Sequence, residues 1–276
     1  VTGIAFAPAK LNLFLEIVAR RPDGFHELET VMLPVDLYDT LEFCERPADG
    51  QGIVSSCNDP SLPTDANNLV VRAAGNWTRD VSIDLTKRIP SQAGMGGGSS
   101  DAATTLMAMA AAYGANGLPA MANSLGSDVS FFLAGGPARC TGRGEIVEPV
   151  PIGGTFHFVV VQPPVGCPTA EVYKRVSVPS ERRSAAETLA ALAEGDPERL
   201  AAAIFNRLET PAIAVAAEVG RVIERMRKWK PLAVQVTGSG SAVFAVARDR
   251  EHARRLAEDY GTATDDKLWV VRSITP

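Results

Sequence analysis

Paired cysteines, basic stretches and long apolar runs are all missing from this chain of 276 residues. Cys44, Cys57, Cys140 and Cys167 lie far apart, form no C-x-x-C pair and have no histidine beside them, so neither a zinc site nor a disulfide framework is suggested. They read as buried, reduced thiols. The 27 Lys+Arg against 32 Asp+Glu give a formal net charge of −5, and no segment gathers cations into a stripe able to neutralise a phosphate backbone. Nucleic acid is therefore not an expected partner. The opening VTGIAFAPAK has no charged leader ahead of an apolar core, and the Ala-rich stretch 102–112 is too short to cross a bilayer. A soluble cytoplasmic protein with no membrane partner is expected. At 46% hydrophobic and 21% charged residues, the composition excludes disorder, collagen and coiled coil, and the length allows one large domain or two modest ones.

What is present has a mixed α+β pattern. Residues 10–18 alternate, with Leu11, Leu13, Leu15 and Ile17 on one face and Asn12 and Glu16 on the other, the signature of a half-buried strand. Pro22-Asp23-Gly24 marks a return, after which 31–35, 41–44 and 81–85 are separate strand candidates, with a helix at 68–77. A glycine-dense loop, Gly94-Met95-Gly96-Gly97-Gly98, precedes a helix expected to open at Ser99-Ser100-Asp101. A second helix is expected from Ser127-Asp128 to the stop at Gly135-Gly136, and 138–150 reads as a β-ribbon.

Beyond it come a strand at 156–162, helices near 185–193, 198–205 and 212–229, strands at 232–236 and 242–246, a helix at 251–260 and a strand at 269–274. Without the extra helices this is β-α-β-β-α-β, a ferredoxin-like half. Proline and glycine cluster at 149–154, which places a domain boundary there, between 1–152 and 153–276.

The glycine loop carries the first chemical signal. Glycines let a backbone turn its N–H groups inward, and a following helix adds its positive end, a combination suited to polyanions. No Lys-Ser/Thr follows as a P-loop requires, and the spacing 94-x-96-x-x-99 ends in Ser, so neither a Walker A loop nor a dinucleotide fingerprint fits.

The longer run Pro90-Ser91-Gln92-Ala93-Gly94-Met95-Gly96-Gly97-Gly98-Ser99-Ser100-Asp101-Ala102-Ala103 resembles the central motif of the GHMP kinase superfamily. Ala7-Pro8-Ala9-Lys10-Leu11-Asn12-Leu13 and Thr237-Gly238-Ser239-Gly240-Ser241-Ala242-Val243-Phe244 resemble its first and third motifs, so the likeness spans the chain. The resemblance implies an N-terminal domain like ribosomal protein S5 domain 2, a ferredoxin-like C-terminal domain, and ATP-dependent phosphorylation of an alcohol with Mg2+ as the accompanying ion. A further block, Arg21-Pro22-Asp23-Gly24-Phe25-His26-Glu27-Leu28, resembles the branch that phosphorylates the 2-hydroxyl of a cytidine diphosphate-linked polyol in non-mevalonate isoprenoid synthesis. A monomer or homodimer is the expected state.

By the same resemblance, Asp128 accepts or orients the proton of the acceptor hydroxyl, and Lys10 is its electrostatic partner. Asn12, also on the Lys10 face of the strand, and Thr169 meet the substrate. Phe25 and Tyr173 sandwich the cytosine, and His26 bonds its polar edge. Asn68, Lys87, Pro90, Ala93, Gly94, Met95, Gly96, Gly97, Gly98, Ser99, Ser100 and Asp101 form the ATP set; Ser99 serves equally as a helix N-cap. No metal ligand is assigned. Gly238 and Gly240 are expected to let the third loop approach the glycine-rich loop. The chain departs from the family in Phe25, where tyrosine is usual, and in Ser91-Gln92. A homoserine or mevalonate-type kinase and a catalytically silent nucleotide sensor are the rival readings, the second disfavoured because Lys10 and Asp128 are both present.

Overall fold

A computed structural model describes residues 1–47, 52–261 and 265–275. Grouped by contact, they form two units interleaved in sequence: 1–9, 37–89 and 96–135 in one, and 10–36, 90–95 and 136–276 in the other. The strands β1 (Gly3–Arg20) and β2 (His26–Glu45) each run from one unit into the other.

In the first unit, the end of β2 pairs antiparallel with β4 (Val81–Thr86), and β3 (Ile53–Cys57) pairs parallel with β4. Leu41, Phe43, Val81, Ile83 and Leu85 project from one face of these strands. They pack with Val70 and Ala74 of α1 (Leu69–Ala74) and with Met109 of α2 (Gly97–Tyr113). Alternation sends Cys44 to the opposite face with Glu42, which leaves this thiol exposed. Cys57 is half-buried, and only Cys140 and Cys167 meet the expectation of buried, free thiols. The helices α3 (Leu118–Leu125), not expected from the sequence, and α4 (Ser127–Leu133) complete this unit.

In the second unit, β5 (Ala138–Thr141) joins the start of β2 and pairs with β6 (Ile146–Pro149), the expected ribbon. β7 (His157–Gln162) is followed by α5 (Thr169–Tyr173), α6 (Ala186–Glu194), α7 (Pro197–Ala203) and the short β8 (Phe205–Asn206). Then come α8 (Glu209–Val215), α9 (Ala217–Lys228), β9 (Ala233–Val236), β10 (Val243–Ala247), α10 (Arg250–Tyr260) and β11 (Lys267–Arg272). The sheet order β11-β7-β10-β9, antiparallel throughout, is the ferredoxin-like arrangement expected. Its core joins Val159, Val161, Val236 and Val243 to Val219, Ile223 and Leu256, and to Leu15, Ile17 and Leu28 of the first two strands.

Three further expectations about the elements change. β1 is buried on both faces over 10–17, since Lys10, Asn12 and Glu16 are as enclosed as the leucines between them. The runs 31–35 and 41–44 belong to one strand, β2, because Pro34 contributes through its carbonyl, which accepts from the Ile274 N–H at 2.9 Å, and needs no N–H of its own. The helix expected at 212–229 is two, separated by Ala216 in extended backbone (φ −140°, ψ 102°). Among the described residues, no helix is long and apolar enough to cross a membrane.

Candidate active site

In the second unit, β1 carries Lys10 and Asn12 inward, two residues apart and so on one face. Burial makes their polar atoms find partners within the protein. The Lys10 ammonium donates to Asn12 Oδ1, and Asn12 Nδ2 donates to Thr30 Oγ1 at 2.8 Å. The Asn12 backbone N–H donates to Thr237 Oγ1 at 3.0 Å.

Thr237 opens the third motif, and its loop lies directly on residues 92–94. The Ser241 N–H donates to Gln92 O at 3.0 Å and the Ala242 N–H to Ala93 O at 3.1 Å. Gly94 (φ +72°) has no room for a Cβ, which would strike Thr237 O and stand 2.9 Å from Gly240 N. Gly238 (φ +54°) is equally confined: a Cβ there would stand 3.1 Å from both Lys10 Nζ and Asn12 Oδ1. The expected approach of the two glycine-bearing loops is therefore present. Asn206 fixes it from β8, donating to Val236 O and Gly238 O at 2.8 Å each. Thr30, Asn206 and the tie from Thr237 to Asn12 escape sequence reasoning. Thr237 lies inside a quoted motif, but neither Thr30 nor Asn206 carries a local signal.

In the first unit, α2 begins at Gly97, two residues before the expected Ser99. Its N-cap is Gly96 in the left-handed region (φ 72°, ψ 16°), with no side-chain cap, so Ser99 is not the N-cap. The Ser100 N–H closes the first turn on Gly96 O at 2.9 Å. A helix start leaves backbone N–H groups without intrahelical partners, and this one has no acidic residue in its first turn to oppose an anion. Two buried atoms beside it, Ser100 Oγ and Asp101 Oδ1, have no hydrogen-bond partner.

Lys87, at the end of β4, directs its ammonium into ion pairs with Asp39 and, at 2.7 Å, Asp101. Burial opposes its charge, yet the two carboxylates outweigh it and hold the lysine above its ordinary range. Burial, against the pull of Lys87 and with the repulsion of Asp39, pushes the Asp101 carboxyl up to about 7. A Cβ on Gly97 would come within 3.0 Å of Lys87 Nζ, so the turn rests on this cluster. Asn68 caps α1, accepting from the Val70 N–H at 2.9 Å and donating to Pro63 O at 2.7 Å. Asp128 stands half-buried in the first turn of α4. Lys10 belongs to the second unit and Asp128 to the first.

The segment around Phe25 lies in the second unit. His26 and Tyr173 pair with ring centroids 5.4 Å apart and planes at 35°. Burial, aided by Arg20, lowers the His26 pKa and favours the neutral ring, which can donate from one nitrogen and accept at the other. Phe25 is largely exposed, and the Arg143 guanidinium lies 4.7 Å from its ring centroid. Thr169 Oγ1 meets Ser239 Oγ at 3.0 Å.

Among the described residues, no group of three or more His, Cys, Asp or Glu could hold a metal ion. Mg2+ in phosphoryl-transfer sites takes one or two protein oxygens, with phosphates and water supplying the rest, and the unpartnered Ser100 Oγ fits that demand.

Residues 62–136 match the GHMP kinases N terminal domain and 188–264 the GHMP kinases C terminal domain. The 4-diphosphocytidyl-2-C-methyl-D-erythritol kinase of Pelotomaculum thermopropionicum is 38% identical over 99% of this chain and 98% of its own. That of Nocardioides sp. is 40% identical over 93% and 92%. A crystal structure of 4-(cytidine 5'-diphospho)-2C-methyl-D-erythritol kinase superposes with a TM-score of 0.84 at 36% identity, covering 99% of this chain and 100% of that one. Homoserine kinase from Cytophaga hutchinsonii shares the fold, with a TM-score of 0.72 at 17% identity, covering 99% of this chain and 94% of that one. With both family domains matched and relatives this similar along nearly its whole length, the chain belongs to the GHMP kinases.

Proposed function

We propose that this kinase transfers the γ-phosphoryl group of ATP to the 2-hydroxyl of 4-diphosphocytidyl-2-C-methyl-D-erythritol, releasing ADP, in the cytoplasmic synthesis of isoprenoid precursors by the non-mevalonate route. The observation that carries this reading is the 38% identity to a kinase of that name over 99% of the chain, against a likeness to homoserine kinase, at 17%, that extends to the fold alone. The Arg21–Leu28 block and the His26–Tyr173 ring pair supply a reason for a cytidyl acceptor.

Phosphoryl transfer is mostly a matter of positioning and charge. Residues 1–152 form the nucleotide-handling domain and 153–276 the second domain, acting as a monomer or homodimer. Gly94 to Ser100 hold the triphosphate on backbone N–H groups, with Pro90, Ala93 and Met95 shaping the turn. Asn68 and Lys87 border the adenosine, and Asp101 anchors Lys87. Asp128 takes the proton of the 2-hydroxyl as its oxygen bonds to phosphorus, and Lys10 favours the ionised carboxylate. Asn12 and Thr169 orient the polyol, and Phe25, His26 and Tyr173 receive the cytosine. Ser100 Oγ, with the phosphates, would hold Mg2+, which when bound would supply charge neutralisation.

ADP release measured in parallel with the cytidyl alcohol, homoserine and mevalonate tests the reading. Turnover is expected with the cytidyl alcohol, and turnover with homoserine alone would overturn it.

A further inference from the structure

The side-chain amide of Asn12 has an orientation dictated from the neighbouring strand. Thr30 Oγ1 lies 2.6 Å from Phe14 O, a carbonyl that only accepts, so the single hydroxyl proton of Thr30 points there. The hydroxyl is left with lone pairs toward Asn12, and an amide 2.8 Å away must present its NH2 to them. That places Oδ1 on the opposite side, against the Lys10 ammonium, where Thr237 Oγ1 also stands at 3.4 Å. Thr237 Oγ1 already accepts the Asn12 backbone N–H at 3.0 Å, so its own proton is available to Asn12 Oδ1 or to Gly94 O, each at 3.4 Å. The three bonds linking Lys10, Asn12, Thr30 and Phe14 therefore all run in one direction, donor to acceptor. Reversing the amide would set NH2 against NH3+ and carbonyl against hydroxyl lone pair, leaving buried groups unsatisfied.

We propose that Thr30 is a positioning residue for phosphoryl transfer, acting through Asn12: its hydroxyl locks the amide so that Oδ1 faces and aims the Lys10 ammonium. This rests on the kinase reading above, in which Lys10 serves the reacting groups. Asn12 then works as a hydrogen-bonded strut to Lys10 as well as lying near the acceptor, and the polarity of the strut is set by Thr30.

The test compares Thr30→Val, which keeps the shape and removes the hydroxyl, with Thr30→Ser, which keeps the hydroxyl. In ADP-release assays with the cytidyl alcohol, T30V is expected to lower kcat about tenfold, the scale of one unsatisfied buried group. KM for ATP and for the alcohol should stay within about twofold, and T30S should restore kcat. In an Asn12→Ala background, T30V should cost nothing further, since its effect passes through the amide. Wild-type kcat in T30V, or a loss equally large with and without the Asn12 side chain, would overturn the proposal. The unmodified protein supplies a readout that depends neither on turnover nor on the folding of a variant. Nuclear Overhauser contacts from the Asn12 side-chain NH2 to the Thr30 methyl are expected, and contacts from that NH2 to Lys10 Hε instead would refute the orientation. Absence of kinase turnover in the wild type would strike the functional reading while leaving this magnetic-resonance arm to decide the amide.

Discussion

The proton-accepting role proposed for Asp128 can be separated from binding. A carboxylate that accepts a proton in the transition state contributes about 10²-fold or more, so Asp128→Asn is expected to lower kcat by that factor. ATP affinity by calorimetry should be almost unchanged; near-normal turnover would remove Asp128 from its role. Gly94 tests the close approach of the loops. Gly94→Ala meets both a positive φ and the Thr237 carbonyl, whereas Gly24 has a comparable φ of +87° with nothing near its absent Cβ. Denaturant melts should show roughly 1 kcal/mol lost in Gly24→Ala and at least about 2 kcal/mol more in Gly94→Ala. Equal losses would mean that the loops do not need this contact. The glycines were legible because a demand on the backbone leaves its mark on composition at the very residues that meet it. Thr30 and Asn206 were not, since a threonine or asparagine acquires its role from a partner strand brought beside it by the fold. Lys87 shows the intermediate case: its place in the ATP set followed from the family resemblance, but its burial between Asp39 and Asp101 depends on a carboxylate 48 residues away.

Elements show the same division. The antiparallel β7, β9, β10 and β11 were readable because short apolar runs are bounded by turn residues. The break at Ala216 was hidden, since alanine favours helix and only the surrounding packing imposes extended backbone there. β1 concealed its burial, because polar residues at alternate positions imitate a solvent face. Glu16 shows what this requires: its carboxylate accepts from Arg207 Nε at 2.8 Å and a second Arg207 nitrogen at 2.7 Å, and from the N–H groups of Arg183 and Ile17. Burial alone would raise its pKa, but Arg207 and the two N–H groups outweigh burial and hold it below the usual range. The stability it contributes is therefore complete above the unfolded-state pKa and lost as pH falls through the folded one. Glu16→Gln is expected to cost roughly 2 kcal/mol at pH 7, with Arg207 retaining part of its hydration. As pH falls below the usual carboxylate range and through the lowered folded-state value, the variant and wild type should converge in urea melts; a difference that persists undiminished in acid would assign the effect to shape.

For the whole molecule, the sequence boundary at 149–154 and the physical units do not follow the same line, since 10–36 and 90–95 group with 136–276. A fragment 153–276 lacks Leu15, Ile17 and Leu28, which pack against Val159, Val161 and Val236, and it lacks the Glu16 partner of Arg207. It is expected to show poorly dispersed amide resonances and no cooperative thermal transition, and a sharp melt would show that its own sheet and helices suffice. The bond from the Asn12 N–H to Thr237 spans 225 residues, so the β1 strand waits for a loop made that many residues after it. At ribosomal speeds of about 5–20 residues per second, that interval is roughly 10–45 s. Throughout it, the polar groups of Lys10, Asn12 and Glu16 must remain hydrated outside the exit tunnel. Their hydrophilic alternation, which conceals the strand's final burial, also gives the nascent segment a soluble face until its partners are synthesised.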